Sequence, residues 1–205
     1  MKALLAEKLG MTQIFDLQRN AIPVTILRAL ANTVLTLKTK EKDGYEAVKI
    51  GAGTRKETRV AKAQKGEFGE LGMFRYVREF RGMDKDAALA RGATITLEAF
   101  NEGDMVAVRG ISKAKGFQGV VKRHGFHGAP HTHGTKHAHR EPGSIGGMGR
   151  AGGRVAKGMR MGGRMGGEYI SVRNLKIVRI DKEANLFALK GAVPGIRGQL
   201  IEVRG

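Results

Sequence analysis

Residues 142–167, PGSIGGMGRAGGRVAKGMRMGGRMGG, decide how the rest of the chain has to be read. The stretch holds eleven glycines and five Lys or Arg, with no acid, no aromatic and no Leu. Arg150, Arg154, Lys157, Arg160 and Arg164 recur every three or four residues, which on a helix would make one basic stripe. Glycine argues against that helix. Each interior Gly costs about 1 kcal/mol relative to Ala, so the set costs about 10 kcal/mol with no apolar face to offset it. A Gly-rich basic run is ordinarily a disordered linker or tail. Position speaks against a tail, because some forty strand-like residues follow. The segment reads as an insertion within a fold, and long loops inside compact domains are usually functional.

Working outward, the basicity proves to be local. The chain carries 37 Lys and Arg against 19 Asp and Glu, a formal net charge of +18, which calls for a polyanionic partner. Twelve of those cations, and only one acid, Glu141, fall within residues 109–167. That window has a net charge of +11, and the remaining 146 residues share +7. It also holds seventeen of the 31 glycines, and no Leu occurs between Leu97 and Leu175. Such a window cannot build its own core.

A length of 205 residues allows one good-sized domain or two small ones. Cys is absent, so disulfides, thiolate metal sites and a Cys nucleophile are excluded, compatibly with a reducing cytosol. The opening MKALLAEKLG does not make a signal peptide, because Glu7 and Lys8 interrupt its apolar run. No stretch approaches a membrane span, and the basic segment lacks the apolar face of a membrane-surface helix.

Both sides of the basic window read as β. Residues 21–29, 33–39, 45–53, 94–100 and 104–111 are short, β-branched runs bounded by Asn, Asp or Gly, a spacing that suggests a small barrel. Residues 169–180 and 185–193 read as a hairpin, and 199–203 closes the chain. Between the runs, residues 57–92 are mixed, with short helices expected at 58–65 and 84–92. Phe68, Phe74, Tyr76 and Phe80 lie there and are expected to pack in the core rather than stack on bases. The expected fold is mainly β (α+β): a β-barrel domain at 1–110 and 168–205 with a mixed helical insertion at about 57–92, and a long Gly/Arg-rich extension at 111–167.

Gly147, Gly149 and Gly152 match GxGxxG by letter, but no strand precedes them and no credible helix follows, so a dinucleotide site is disfavoured. All six histidines lie between His124 and His139. His131, His133, His137 and His139 could chelate a metal, but they lack a companion carboxylate and sit among cations. No acid–base constellation accompanies them, so no catalytic, metal or cofactor site is expected. The favoured reading makes the imidazoles and arginines RNA ligands. Glycine permits close backbone approach, and Arg meets phosphates bidentately. A polyanion then replaces the missing core, and ordering is offset by phosphate contacts and counterion release. Each twenty-residue limb of an out-and-back loop can reach roughly 60 Å. Irregular folded RNA offers clefts suited to such a thread, whereas duplex grooves favour rigid helices; DNA wrapping stays open as an alternative.

Seven stretches together carry a family resemblance: KLGMTQIF (8–15), IPVTIL (22–27), DGYEAVKIG (43–51), ISKAKGFQGVVKRHGFHG (111–128), THGTKHAHREPGSIG (132–146), KGMRMGGRMGGE (157–168) and NLFALKGAVPG (185–195). In order and from end to end, the chain resembles the bacterial large-subunit (50S) ribosomal protein L3 family. The resemblance implies a translation-protein-type β-barrel and no enzymatic activity. It further implies direct 23S rRNA binding, an early role in 50S assembly and an internal loop running toward the peptidyl-transferase centre. Neighbours of the L14 and L19 ribosomal protein families and a cytoplasmic, ribosomal location are implied too, without membrane or small-molecule substrate. By motif match, Lys113, Lys115, Lys122, Arg123 and His124 lie on RNA at the base of the loop. His133, Lys136, His139 and Arg140 follow, then Ser144 toward the tip, with Arg150, Arg154, Lys157, Arg160 and Arg164 as further rRNA ligands. Gly147 stands where many relatives carry a methylated Gln, so no modification is expected there. GRAGGRV is one residue longer than the usual run, and KAKG replaces the more usual KGKG or KGRG.

Overall fold

A run of apolar residues at the very start, ALLA, begins the first strand and is buried on both of its faces. The computed structural model describes residues 2–82, 89–132, 134–146 and 152–205. In chain order the elements are β1 (Ala3–Phe15), β2 (Ala21–Ala29), β3 (Asn32–Lys38), α1 (Lys40–Asp43), β4 (Ala47–Thr54), α2 (Lys62–Phe68), β5 (Phe74–Arg81) and β6 (Thr94–Ile95). Then come β7 (Met105–Ile111), β8 (Phe117–Gln118), α3 (Val120–His124), β9 (Gly163–Arg164), β10 (Tyr169–Asp181), β11 (Leu186–Lys190) and β12 (Leu200–Arg204). The chain is mainly β, as its composition and patterning predict. No helix among the described residues is long and apolar enough to cross a membrane.

Two compact units divide the chain. One comprises residues 1–112 and 169–205, the other residues 113–168. In the first, antiparallel pairing runs β1-β12-β7-β10-β11-β2 and back to β1, a closed barrel. Its interior is filled by Leu4, Ala6, Leu27, Val106, Val108, Ile177, Phe187, Leu189, Ile201 and Val203. Side chains alternate across a strand, so Ala3 and Leu5 face the other way. They join Val34, Val48, Ile50, Ala52 and Phe80 in a second cluster. Apart from Ala3 and Leu5 of β1, the residues of that cluster belong to a separate sheet in the order β5-β4-β3-β6. Its other side packs Leu35, Val60 and Phe68, the last delivered by α2.

Three expectations are corrected. The strands expected at 33–39 and 45–53 lie in the four-stranded sheet rather than the barrel, because hairpin continuity in sequence says nothing about which edge a strand joins. The run at 94–100 is strand only at Thr94–Ile95 and then makes a 3-10 turn at Leu97–Ala99. Leu97 and Phe100, three residues apart, thereby reach the barrel core together. The insertion at 57–92 is helical only in part: α2 covers Lys62–Phe68, and β5 follows as a full strand of the sheet. Phe68 and Phe80 are buried there, and Phe68 meets Phe74 edge to face with ring centroids 5.4 Å apart. The helix expected at 84–92 falls largely outside the described residues.

Candidate nucleic-acid interface

The second unit, residues 113–168, has eleven Lys and Arg against Glu141 and Glu168. Among its described residues Val120 is buried while Phe117, Ile145, Val155 and Met159 are exposed, so its order comes largely from backbone pairing. β8 and β9 pair antiparallel, Phe117 opposite Arg164 and Gln118 opposite Gly163. The Lys115 amide donates to the Met165 carbonyl at 2.9 Å, and the Met165 amide to the Gly116 carbonyl at 3.0 Å, which closes a clasp. Two glycines make such close passages possible. Gly166 has φ +74°, and a Cβ there would lie 2.1 Å from the Lys113 carbonyl oxygen. Gly128 has φ +79°, and its Cβ would lie 2.1 Å from the His139 carbonyl oxygen.

Between β8 and β9 sits α3, whose last turn carries Lys122, Arg123 and His124 at the end where cations suit the helix dipole. Arg123 and His124 are half-buried and converge on one acceptor. Arg123 Nη1 donates to the Met161 carbonyl at 2.8 Å, and His124 Nε2 lies 3.0 Å from the same oxygen. A carbonyl only accepts, so Nε2 carries the hydrogen in this arrangement. The Arg123 guanidinium covers Gly163, where an added Cβ would sit 2.6 Å from Nη1. These two residues therefore orient the returning limb of the loop, and Arg123 adds a positive charge there.

The remaining expected ligands are displayed. Lys113, Lys115, Lys122, Lys136, Arg140, Arg154, Lys157, Arg160 and Arg164 are exposed. Among the described residues, none of them is held in an ion pair. His139 lies in a 3-10 turn, Ala138–Arg140, and stacks on His131 with centroids 4.6 Å apart and planes 15° apart. Ser144 is exposed and turns its hydroxyl back on the Gly146 carbonyl at 2.9 Å. His133, Gly147 and Arg150 lie outside the described residues. From 152 to 162 the chain makes turns but no helix, in line with its glycine content.

Lys115, Arg123, His124 and Arg164 thus belong to one paired substructure, while Arg154, Lys157 and Arg160 lie on irregular chain. The sequence reading missed the Met161 carbonyl as the common acceptor, because a backbone oxygen has no side-chain signature. No group of three or more His, Asp and Glu capable of holding a metal ion is gathered among the described residues.

Comparison with known proteins agrees with the resemblance. The family profile described as Ribosomal protein L3 matches residues 82–193, more than half of the chain. The protein named Large ribosomal subunit protein uL3 from Acidothermus cellulolyticus is 47% identical over 206 aligned positions, covering 100% of this chain and 92% of that protein. The uL3 of Desulfitobacterium hafniense is 46% identical, over 98% of this chain and 93% of the relative. That of Vibrio vulnificus strain CMCP6 is also 46% identical, over 100% and 98%. Similarity of this extent, spanning both the barrel and the basic unit, places the chain in the ribosomal protein L3 family, whose members are structural ribosomal proteins rather than enzymes.

Proposed function

We propose that the protein is a structural constituent of the large ribosomal subunit that binds 23S rRNA directly. Its globular part, residues 1–110 and 168–205, is a translation-protein-type barrel, and residues 111–167 are the part that penetrates RNA toward the peptidyl-transferase centre. Binding nucleates early 50S assembly, alongside neighbours of the L14 and L19 families, in the cytoplasm. The observation that carries this reading is the display of cations on a backbone without a core. Nine exposed Lys and Arg without ion-pair partners among the described residues surround short paired segments that leave Phe117, Val155 and Met159 exposed. A phosphate-lined cleft supplies the counter-charge and the packing surface that the chain lacks. Family membership makes rRNA the polyanion.

Within this reading Lys113, Lys115, Lys122, Arg164 and the Arg123–His124 pair bind at the base of the loop. His133, Lys136, His139, Arg140 and Ser144 bind farther along, with Arg150, Arg154, Lys157 and Arg160 on the irregular return. Gly147 offers no side-chain amide, so no methylation occurs at that position. Sedimentation of the native protein from its own cells tests the proposal. It should co-migrate with the large subunit at one copy per particle and stay bound through a high-salt wash in Mg²⁺. Recovery at the top of the gradient under both conditions would refute it.

A further inference from the structure

A cavity of about 320 Å³ lies on the barrel unit, and its charged wall residues among those described are Arg78, Arg109, Arg197 and Glu202. Three cations against one acid leave a surplus of two positive charges. Strand pairing explains how they meet. Glu202 of β12 stands opposite Arg109 of β7, and Ile111, two residues on, stands opposite Tyr169 of β10. Residues two apart share a strand face, so these four side chains line one wall. Arg78 reaches the same place from β5. Glu202 is 4% exposed and accepts from Arg78 Nε at 3.0 Å. Arg109 Nη1 and, from beyond the wall, Arg204 Nη2 each lie 3.8 Å from its other oxygen, outside hydrogen-bond range.

The cations are held in place before any ligand arrives. Arg78 spends its donors on Glu202, on the Val77 carbonyl at 2.8 Å and on the Tyr169 hydroxyl at 3.2 Å. The Arg109 guanidinium lies 4.6 Å from the Tyr169 ring centroid, yet Tyr169 is 49% exposed, which leaves ring surface free. Arg197 is exposed and makes no ion pair among the described residues. Its loop is fixed from below: Lys8 Nζ, on a buried residue, donates to the carbonyls of Val193 at 2.6 Å and Gly195 at 3.0 Å, and the Ile196 amide donates to Gln199 Oε1 at 3.1 Å. The guanidinium itself lies over Gly10, where an added Cβ would come 3.4 Å from Nη2. A site ordered in advance loses little entropy on binding.

Size, charge and shape together select a ligand class. The volume falls at the lower end of the range of small-molecule sites. A surplus of two charges matches the dianion of a phosphomonoester, whereas a phosphodiester carries one negative charge. Arg forks meet phosphate oxygens bidentately, and an exposed tyrosine ring offers a base its stacking face, with Ile111, Ile196 and Leu200 as apolar wall. We propose that this cavity is a site for a free nucleoside monophosphate, with the terminal phosphate between Arg109 and Arg197 and the base on Tyr169. The ligand is a small molecule rather than rRNA, so the site goes beyond the ribosomal reading and its failure would leave that reading untouched.

The test is equilibrium dialysis of the full-length protein against radiolabelled adenosine 5′-monophosphate. Uptake should saturate at one per chain, and weaken as pH falls through about 6, where the phosphate takes up its second proton. Arg197→Ala, at an exposed position, should weaken binding at least about tenfold, as should Arg109→Gln. Tyr169→Ala should cost about tenfold, while Tyr169→Phe, which keeps the ring, should stay within about threefold of the parent. Arg179→Ala, an exposed cation elsewhere on the barrel, should change nothing. The 5′-phosphate methyl ester of adenosine, a monoanion, should bind at least about fivefold more weakly. Absence of saturable uptake overturns the site, as does a loss at Arg179 equal to that at Arg197, which would reveal attraction by net charge alone. Equal affinity for the methyl ester overturns the monophosphate assignment in favour of a phosphodiester. Inorganic phosphate binding as tightly as the nucleotide would make this a plain anion site and overturn the nucleoside part.

Discussion

Replacing Gly166 with Ala should open the clasp of the basic unit without altering one charge. Gly166 has φ +74°, a conformation that costs a residue with a Cβ about 1–2 kcal/mol. The new methyl would also sit 2.1 Å from the Lys113 carbonyl oxygen, a backbone atom that cannot swing aside. The segment must shift, and the hydrogen bonds from Lys115 to Met165 and from Met165 to Gly116 go with it. At about 1 kcal/mol each, the total reaches about 3–4 kcal/mol. Local opening should then become about a hundredfold to a thousandfold more frequent, at 1.4 kcal/mol per decade. Hydrogen exchange read by mass spectrometry on peptides spanning 113–118 and 161–168 should report that loss, with the barrel strands unaffected. RNA affinity should fall with an unchanged salt slope, because every cation remains. Protection at Lys115 and Met165 within about threefold of the parent would refute the reasoning.

Further outcomes follow from the same geometry. Asn32 is fully buried; its Oδ1 accepts the Leu5 amide at 2.9 Å, and its Nδ2 donates to the carbonyls of Leu5 at 3.1 Å and Leu30 at 2.6 Å. Asn32→Ala should cost about 2–4 kcal/mol and lower the urea midpoint by about 1–2 M, with Asn32→Asp worse because a second oxygen would face two carbonyls. Burial disfavours the Glu79 carboxylate, but the Tyr45 hydroxyl and the Lys38 ammonium outweigh it and hold its pKa below the ordinary 4.5. Its contribution is therefore present above that value and lost as pH falls through the lowered one, so Glu79→Gln should weaken the loss of stability that sets in as pH falls below 4.5, measured by urea unfolding. Arg150, Arg154, Arg160 and Arg164 changed together to Ala should flatten the salt dependence of RNA binding by about 3 in slope while the barrel melts as before; an unaltered slope would remove the basic unit from the interface.

Much of the architecture was legible because it is written locally. The alternation in AIPVTILRA places β2 at Ala21–Ala29, and the β-branched runs before and after the basic window place β7, β10, β11 and β12 within a few residues. The missed strands have physical reasons. β1 begins with a stretch buried on both faces, so it shows no alternation and passes for a short apolar run. In β5, FRYVREFR, apolar and charged residues are mixed on one strand, and Arg78 is there to meet Glu202 rather than solvent. For the basic unit, residue types foretold exposure and charge correctly, but not that Arg123 and His124 turn inward on the Met161 carbonyl.

Sequence alone determined that strands flank a cationic, Leu-free insertion, that eleven glycines argue against a basic helix over residues 142–167, and that its family is that of ribosomal protein L3. These are additive or local properties, readable residue by residue from charge, propensity and motif order. Tertiary structure decided which strands close the barrel and which form the separate sheet, and it brought Arg78 to Glu202 across 124 positions of chain. Pairing register and the convergence of distant side chains depend on which sheet edges meet and which cores fill. No window of neighbouring residues carries that information.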